Sequence, residues 1–441
     1  MENSHPTIRD ADTLIVGGGV AGLAAAISSA AAGSETVLIE KSDRLGGNIS
    51  LANVHTFCGL FELKKNDHLE YLNSGFTPWF VEGLRKSGGA LDPEKHGRVG
   101  VLPVFPSRVA EYALNIVRKF PTLTVMRETT LIGLNINSPH NTQAEALLRH
   151  QGEEQLLSAK TVIDSSGDAI AATLSGAEID TPAADQLQNA SLIFRVTGAN
   201  PNDLVGYSRL KLSANIARRA FSGDIPEECE SVLVRPGEKF DEAYISLNLP
   251  KLTDHVYAPL DSEFMGLYKQ HALELAQTLI ACLVNYMPGW SKCQLLEWPH
   301  LVGIRETQHI VGKYVMTESD ILSGATHPDA IARSSWPIEL WNKHTGADFK
   351  YPDSISEIPL RSLMSKSHAN LGMAGRCMSG THEALGALRI SGTAMATGEA
   401  IGIAASIAAE KEIPLAEVPC EDVKTRHENL KGTVFNYEHN R

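Results

Sequence analysis

Thr13-Leu-Ile-Val-Gly-Gly-Gly-Val-Ala-Gly-Leu-Ala-Ala-Ala-Ile-Ser-Ser-Ala-Ala-Ala-Gly-Ser-Glu-Thr-Val-Leu-Ile-Glu40 decides how this chain is read. The apolar run Leu14-Ile15-Val16 has the character of a buried parallel strand. It runs into Gly17, Gly19 and Gly22 at G-x-G-x-x-G spacing, then into an alanine-rich helix and a second strand over residues 36–39. Gly17 permits the tight turn, Gly19 lets backbone approach a pyrophosphate, and Gly22 lets helix close on strand. The helix points free N–H groups and its positive end at the phosphates. Glu40 ends the second strand, where a carboxylate accepts both ribose hydroxyls and favours an adenosine without a 2′-phosphate. The fingerprint alone leaves both FAD and NAD open.

The chain has 441 residues, long enough for two intimately connected domains. With 39 Lys and Arg against 52 Asp and Glu, its formal charge is −13. Basic residues are scattered rather than gathered into a stripe, which argues against a nucleic-acid partner. Cys58, Cys229, Cys282, Cys293, Cys377 and Cys420 are far apart and form no C-x-x-C, as in free thiols of a reducing compartment. No metal-ligand cluster is expected. The start has no basic flank followed by an apolar core, and no apolar run approaches a membrane span. The expectation is a cytoplasmic protein.

Beyond Glu40, Gly46 and Gly47 form a second hinge close to the ribose-binding acid, in a loop or short helix skirting the cofactor. A long flavin nucleotide would give that glycine pair a purpose. Residues 51–61 bring His55 and Cys58 to the same neighbourhood. Helices are expected at 77–88 and at 107–119, the latter with Ser107 as N-cap. Strands are expected at 123–127 and 130–137, and an antiparallel ribbon around Gln151-Gly152-Glu153. Thr161-Val-Ile-Asp-Ser-Ser-Gly-Asp168 reads as a buried strand running into a polar glycine turn, a second strand end delivering N–H groups to an extended FAD.

From about residue 184 the composition changes. Strand-like runs at 191–196 and 244–249, a helix at 211–221 and a long helix at 262–286 suggest an inserted sheet-and-helix unit covering the substrate. Leu267, His271, Leu275 and Leu279 are the expected apolar stripe of the long helix. Residues 371–374 return to the parallel sheet, and Gly392 or Thr393 opens an alanine-rich helix to about 409. The polar stretch after Pro414 is expected to be peripheral.

The N-terminal fingerprint, Gly46-Gly47, Val162-Ile-Asp-Ser-Ser-Gly-Asp168, Gly303-Ile-Arg-Glu-Thr-Gln-His-Ile-Val-Gly312 and Ala374-Gly-Arg-Cys-Met-Ser-Gly-Thr-His-Glu-Ala384 together resemble the FAD-dependent oxidoreductases of the glutathione-reductase-like flavoprotein superfamily. The resemblance implies an α/β fold: a discontinuous Rossmann-like FAD-binding domain over 10–175 and 355–410, an inserted α+β substrate domain over 176–354, and a peripheral tail over 411–441. It implies Gly17, Gly19 and Gly22 on the pyrophosphate and Glu40 on the adenine ribose. Arg44, Gly46 and Gly47 would lie along the cofactor, and Gly167 and Asp168 in its second contact turn. Ala374, Gly375, Arg376 and the turn Gly392-Thr393-Ala394 would sit near the phosphates and the flavin pyrimidine. Gln308 and His309 stand where such proteins commonly carry two arginines, so no substrate-anion role is carried over to them.

Flavin supplies the electron chemistry, leaving the protein to hold substrate and tune charge. His382 can take a substrate proton near neutral pH and Arg389 can bind a carboxylate bidentately, or His382 and Glu383 can merely shape the FAD pocket. Arg305 and Glu306 read as a buried ion pair or a substrate clamp. His55 and Cys58 lie near the flavin edge or the substrate face, with covalent FAD attachment the lesser alternative and a buried structural thiol the favoured role of Cys58. Trp290, Trp298, Trp336 and Trp341 suit a planar-substrate pocket or plain core packing. The function expected is two-electron oxidation or reduction of a small organic metabolite. NAD(P)H, O₂, a quinone or a redox protein all stay open as electron partner. The alternatives are a flavin monooxygenase and a non-catalytic electron-transfer subunit. No W-x-W-x-I-P segment supports a halogenase.

Overall fold

The computed structural model describes residues 7–63, 69–136, 143–343 and 346–437. Asn137, expected to end a strand, and the last four residues of the expected tail lie outside them.

β1 (Thr7–Val16) pairs in parallel with β2 (Thr36–Ile39) on one side. A parallel sheet needs cover on both faces. Part of it comes from α1 (Val20–Ala31), where every residue from Ala21 to Ala30 is buried. After β2 the chain forms α2 (Asn48–Leu51), α3 (Phe76–Lys86) and α4 (Pro106–Val117). Ser107 is not the N-cap of α4. The helix begins at Pro106, whose ring presets the helical backbone and has no N–H to satisfy, and Ser107 Oγ donates to Glu238 instead, at 2.6 Å.

β3 (Leu123–Met126) adds in parallel to β2, then β4 (Thr129–Asn135), β5 (Ala144–His150) and β6 (Glu153–Asp164) follow. β6 merges two features that look separate in sequence. Over residues 153–159 it pairs antiparallel with β5, and from Leu156 to Asp164 it lies parallel to β1 on its other side.

The inserted unit has its own apolar core. Its sheet runs in the order β8-β9-β7-β10, from β7 (Ala190–Thr197), β8 (Val232–Pro236), β9 (Glu242–Leu249) and β10 (Gln294–Glu297), all antiparallel. Two helices accompany it, α5 (Gly206–Phe221) and α6 (Ser262–Tyr286). The stripe of α6 is turned from the expected one. Phe264, Tyr268, Leu275, Leu279 and Leu283 face inward, whereas Leu267 is 44% exposed. Two rings outweigh one leucine: Phe264 and Tyr268 pack with Tyr257, and Tyr268 Oη donates to Leu249 O at 2.8 Å.

β11 (Leu371–Met373) then joins β6 in parallel, followed by α7 (His382–Leu388), α8 (Ser391–Lys411) and α9 (Cys420–Thr433). α8 presses on α1 through glycines one turn apart: a Cβ on Gly398 would strike Ala21 O, and one on Gly402 would strike Ala25 O. α8 is buried all round from Gly392 to Ala409, so something must cover its far side. The supposedly peripheral tail does so. Val423, Leu430 and Phe435 are buried, Phe435 against Phe76 and Trp79. Leu415 and Val418 are buried in the same polar stretch. Among the described residues no helix is long and apolar enough to cross a membrane.

Candidate functional site

The expected cofactor residues follow the carboxyl ends of parallel strands, the edge where open α/β sheets take ligands. Gly17, Gly19 and Gly22 follow β1; Glu40, Arg44, Gly46 and Gly47 follow β2; Gly167 and Asp168 follow β6; Gly375 and Arg376 follow β11. Gly46 N donates to Gly18 O at 2.8 Å, and a Cβ on Gly47 would lie 2.9 Å from Gly19 Cα, so the two glycine pairs form one close backbone floor.

The fingerprint glycines have different tasks. Gly17 has φ +103, and a Cβ there would sit 2.7 Å from Ser165 O; a Cβ on Gly22 would strike Gly17 O. Beside Gly19 the space is open, the nearest atom being Gly47 Cα at 3.9 Å. No side chain caps α1, whose first N–H groups therefore keep their capacity for an anion. α8 likewise lacks a side-chain cap, and Thr393 Oγ1 in its first turn is buried without a partner. Gly392 touches the backbone of Gly59, and Ala394 is buried beside it.

Glu40 is more committed than its position in sequence implies. Oε2 accepts from Gly18 N at 2.7 Å, and Oε1 accepts from Ser42 N and Oγ at 2.8 and 2.9 Å. A carboxylate offers about four acceptor sites, so one is left, on Oε2. Arg376 Nη2 donates to Asp168 at 2.8 Å and lies against Gly167, so the second turn and the loop after β11 meet directly. Arg44 stays partly exposed, its guanidinium 4.0 Å from Asp43.

Between this edge and the inserted sheet lies a second set of polar groups. His382 opens α7 and brings Nδ1 within 2.9 and 2.8 Å of the two carboxylate oxygens of Glu306. His309 Nε2 stands 3.3 Å from Glu306 Oε1, an ion-pair contact short of hydrogen-bond geometry. Burial alone would push the Glu306 carboxyl up, but the imidazoles of His309 and His382 bring it down to about 2. The Glu306 bond raises His382, against the effect of burial. Gln308 is spent on structure, donating to Asp168 O and Thr173 Oγ1 at 2.9 and 2.8 Å.

Arg305 and Glu306 are not an ion pair with each other. Adjacent residues here point to different partners: Arg305 Nη1 donates to Asn189 O, Ala190 O and Asn248 Oδ1 at 2.5, 2.8 and 3.2 Å, and the guanidinium lies 4.3 Å over the Trp341 ring. Burial, then the charge of Arg389, bring the Arg305 guanidinium down to about 9. Arg389 Nη2 reaches Gln188 Oε1 and Glu339 O, both at 3.3 Å, while its Nε is buried without a partner. Glu339, which sequence reasoning missed, receives the indole N–H groups of Trp336 and Trp341 at 2.9 and 2.6 Å. Trp290 and Trp298 belong to the core of the inserted unit. His55 stacks on Tyr244 at 4.9 Å, and burial pushes its imidazole down to about 4, so it is neutral near pH 7. Among the described residues no group of His, Cys, Asp and Glu could hold a metal.

The family model described as FAD dependent oxidoreductase matches residues 12–426. The chain belongs to the FAD-dependent oxidoreductase family. FAD is its cofactor, and the unfilled space at Gly19, the two helix starts without side-chain caps and the unpartnered Thr393 hydroxyl suit that nucleotide. No curated protein matches. Among solved structures, this FAD-dependent oxidoreductase is similar to a geranylgeranyl bacteriochlorophyll reductase-like protein of Thermoplasma acidophilum at 15% identity and TM-score 0.47, over 96% of this chain and 84% of that one. A p-nitrophenol 4-monooxygenase of Pseudomonas putida follows at 12% and 0.45, over 97% and 87%. A glycine oxidase of Geobacillus kaustophilus matches at 11% and 0.43, over 92% and 95%.

Proposed function

We propose that this FAD-dependent oxidoreductase exchanges two electrons with a small organic molecule held between the nucleotide-binding edge and the inserted sheet, and that His382 carries the accompanying proton. FAD, when bound, supplies the acceptor or donor of the electron pair. Gly19 and the start of α1, Gly46, Gly47, Gly375, Arg376 and the start of α8 would hold it, as in the glutathione-reductase-like lineage. In the oxidising direction His382 would take the proton that the substrate gives up, and in the reducing direction it would return it. The free thiols suit a cytoplasmic setting.

The observation that carries this reading is the clamp of His382 Nδ1 on Glu306, a carboxylate only 1% exposed. The clamp fixes the imidazole plane and leaves Nε2 to exchange a proton, the arrangement of an oriented acid or base. The test is anaerobic: FAD-loaded protein is mixed with a metabolite panel and bleaching of the oxidised flavin band is followed. A bleaching compound is expected, and His382→Gln should slow its reaction by roughly 10²-fold or more with FAD content unchanged. Equal rates in the variant would remove His382 from the chemistry.

A further inference from the structure

We infer that the molecule acted on carries a carboxylate, received between Arg305 and Arg389 with the amide of Gln188 as a further donor. This deepens the reading above and rests on its placement of the substrate. Both arginines lean on two adjacent residues, Arg389 on a side-chain oxygen and Arg305 on a backbone carbonyl. Arg389 Nη2 contacts Gln188 Oε1, and Arg305 Nη1 contacts the carbonyl of the next residue, Asn189. Trp341 ties the two together, donating its backbone N–H to Gln188 Oε1 at 3.3 Å while its ring lies under the Arg305 guanidinium.

The donors outnumber the acceptors around this point. Gln188 is 0% exposed, and among the described residues neither its Nε2 nor the buried Nε of Arg389 has a partner. Arg305 spends only Nη1 on the described residues, on two carbonyls and an amide oxygen, none of which carries charge. Buried cations ordinarily find a carboxylate. Glu339, whose charge is felt by both guanidiniums, has each oxygen engaged by an indole N–H of Trp336 or Trp341, and makes no ion pair with either arginine among the described residues. Glu306 is held by His382. The charge of Arg389 depresses the Arg305 guanidinium, and with the oxygens of Glu339 and Glu306 given to other donors the two cations are short of a counter-charge that an incoming anion would supply. A carboxylate suits what is left over, since its two oxygens match the N–H fork of a guanidinium and an amide N–H beside it.

The test is calorimetric titration of the FAD-loaded protein with acetate and benzoate, against acetamide and benzamide as neutral counterparts and inorganic phosphate as a different anion. The carboxylates are expected to bind, with the amides weaker by about tenfold or more. Arg389→Gln should weaken carboxylate binding by about tenfold or more while FAD content and melting temperature hold. Arg389→Lys, which keeps the charge and loses the fork, should fall between and serves if the glutamine variant does not fold. Amides binding as well as carboxylates, binding confined to phosphate, or indifference to substitution at both Arg305 and Arg389 would each overturn the assignment. The underlying reading fails separately. Carboxylates that bind while no organic acid exchanges electrons with the flavin would sink that reading alone; neutral compounds that bleach the flavin, with no carboxylate bound, would sink this inference alone.

Discussion

His382 Nδ1 and the Glu306 carboxylate meet at 2.8 Å across 76 residues of chain, joining the start of α7 to the segment that leaves the inserted sheet. Glu306 is charged because imidazoles surround it, and His382 keeps its proton to a higher pH than a free histidine because Glu306 is charged. Glu306→Gln removes that support, and the pKa of His382 should drop by about one unit or more. If His382 acts as an acid, the descending limb of flavin reduction against pH moves down; if it acts as a base, the ascending limb moves down. A pH–rate profile of the variant with both limbs unmoved would separate the pair from catalysis.

Gly19 and Gly22 should fail in different ways. A side chain at Gly19 meets open space and an ordinary backbone conformation, so Gly19→Val should fold while losing FAD affinity by about tenfold or more. Gly22→Ala drives a methyl into Gly17 O and should lower the melting temperature with or without the cofactor. The ratio of flavin to protein absorbance, read beside a thermal melt, distinguishes these outcomes. Stoichiometric FAD in folded Gly19→Val would remove the close backbone approach from the binding account.

The proposed nucleotide-binding edge was legible because each of its residues follows a strand that sequence period and composition announce, and because glycine is demanded by local geometry at Gly17 and Gly22. The polar cluster was legible only residue by residue. His382, Arg305 and Arg389 stand out as side chains able to do chemistry, but no local pattern reports that Glu306 turns to His382 or that Gln188 and Glu339 stand beside Arg389. Those pairings are set by how the inserted sheet docks. Similarly, the face of α6 depended on aromatic packing with Tyr257, which helical period alone does not contain.

Cys58 should be inert. Burial first, and the neighbouring charge of Glu339 second, push its thiol up, so little thiolate forms at neutral pH. A thiol-reactive disulfide reagent at pH 8 should label it far more slowly in the folded holoprotein than after denaturation. Cys58→Ala should also leave the rate of flavin reduction unchanged. Rapid labelling with loss of flavin reduction would instead give this residue a redox part.

His427 on α9 reaches Glu399 on α8, with Nε2 3.5 Å from Oε1, while Glu399 itself accepts the N–H of Phe76 at the start of α3. Burial pulls the imidazole down, but Glu399 and then Glu428 pull harder, against Lys431, and the net shift is upward. A raised folded-state pKa contributes stability that is complete below the unfolded value, about 6.5, and is lost as pH rises through the folded one. The gap in unfolding free energy between the native chain and His427→Gln should therefore be of order 1 kcal/mol in mildly acid buffer and shrink towards alkaline pH. Denaturant melts of both proteins across that range measure it. A gap that stays constant, or widens with pH, would mean that the imidazole adds nothing to the seam and that α9 is held to α8 by its apolar side chains and by the pairs Lys411–Asp422 and Arg426–Glu410.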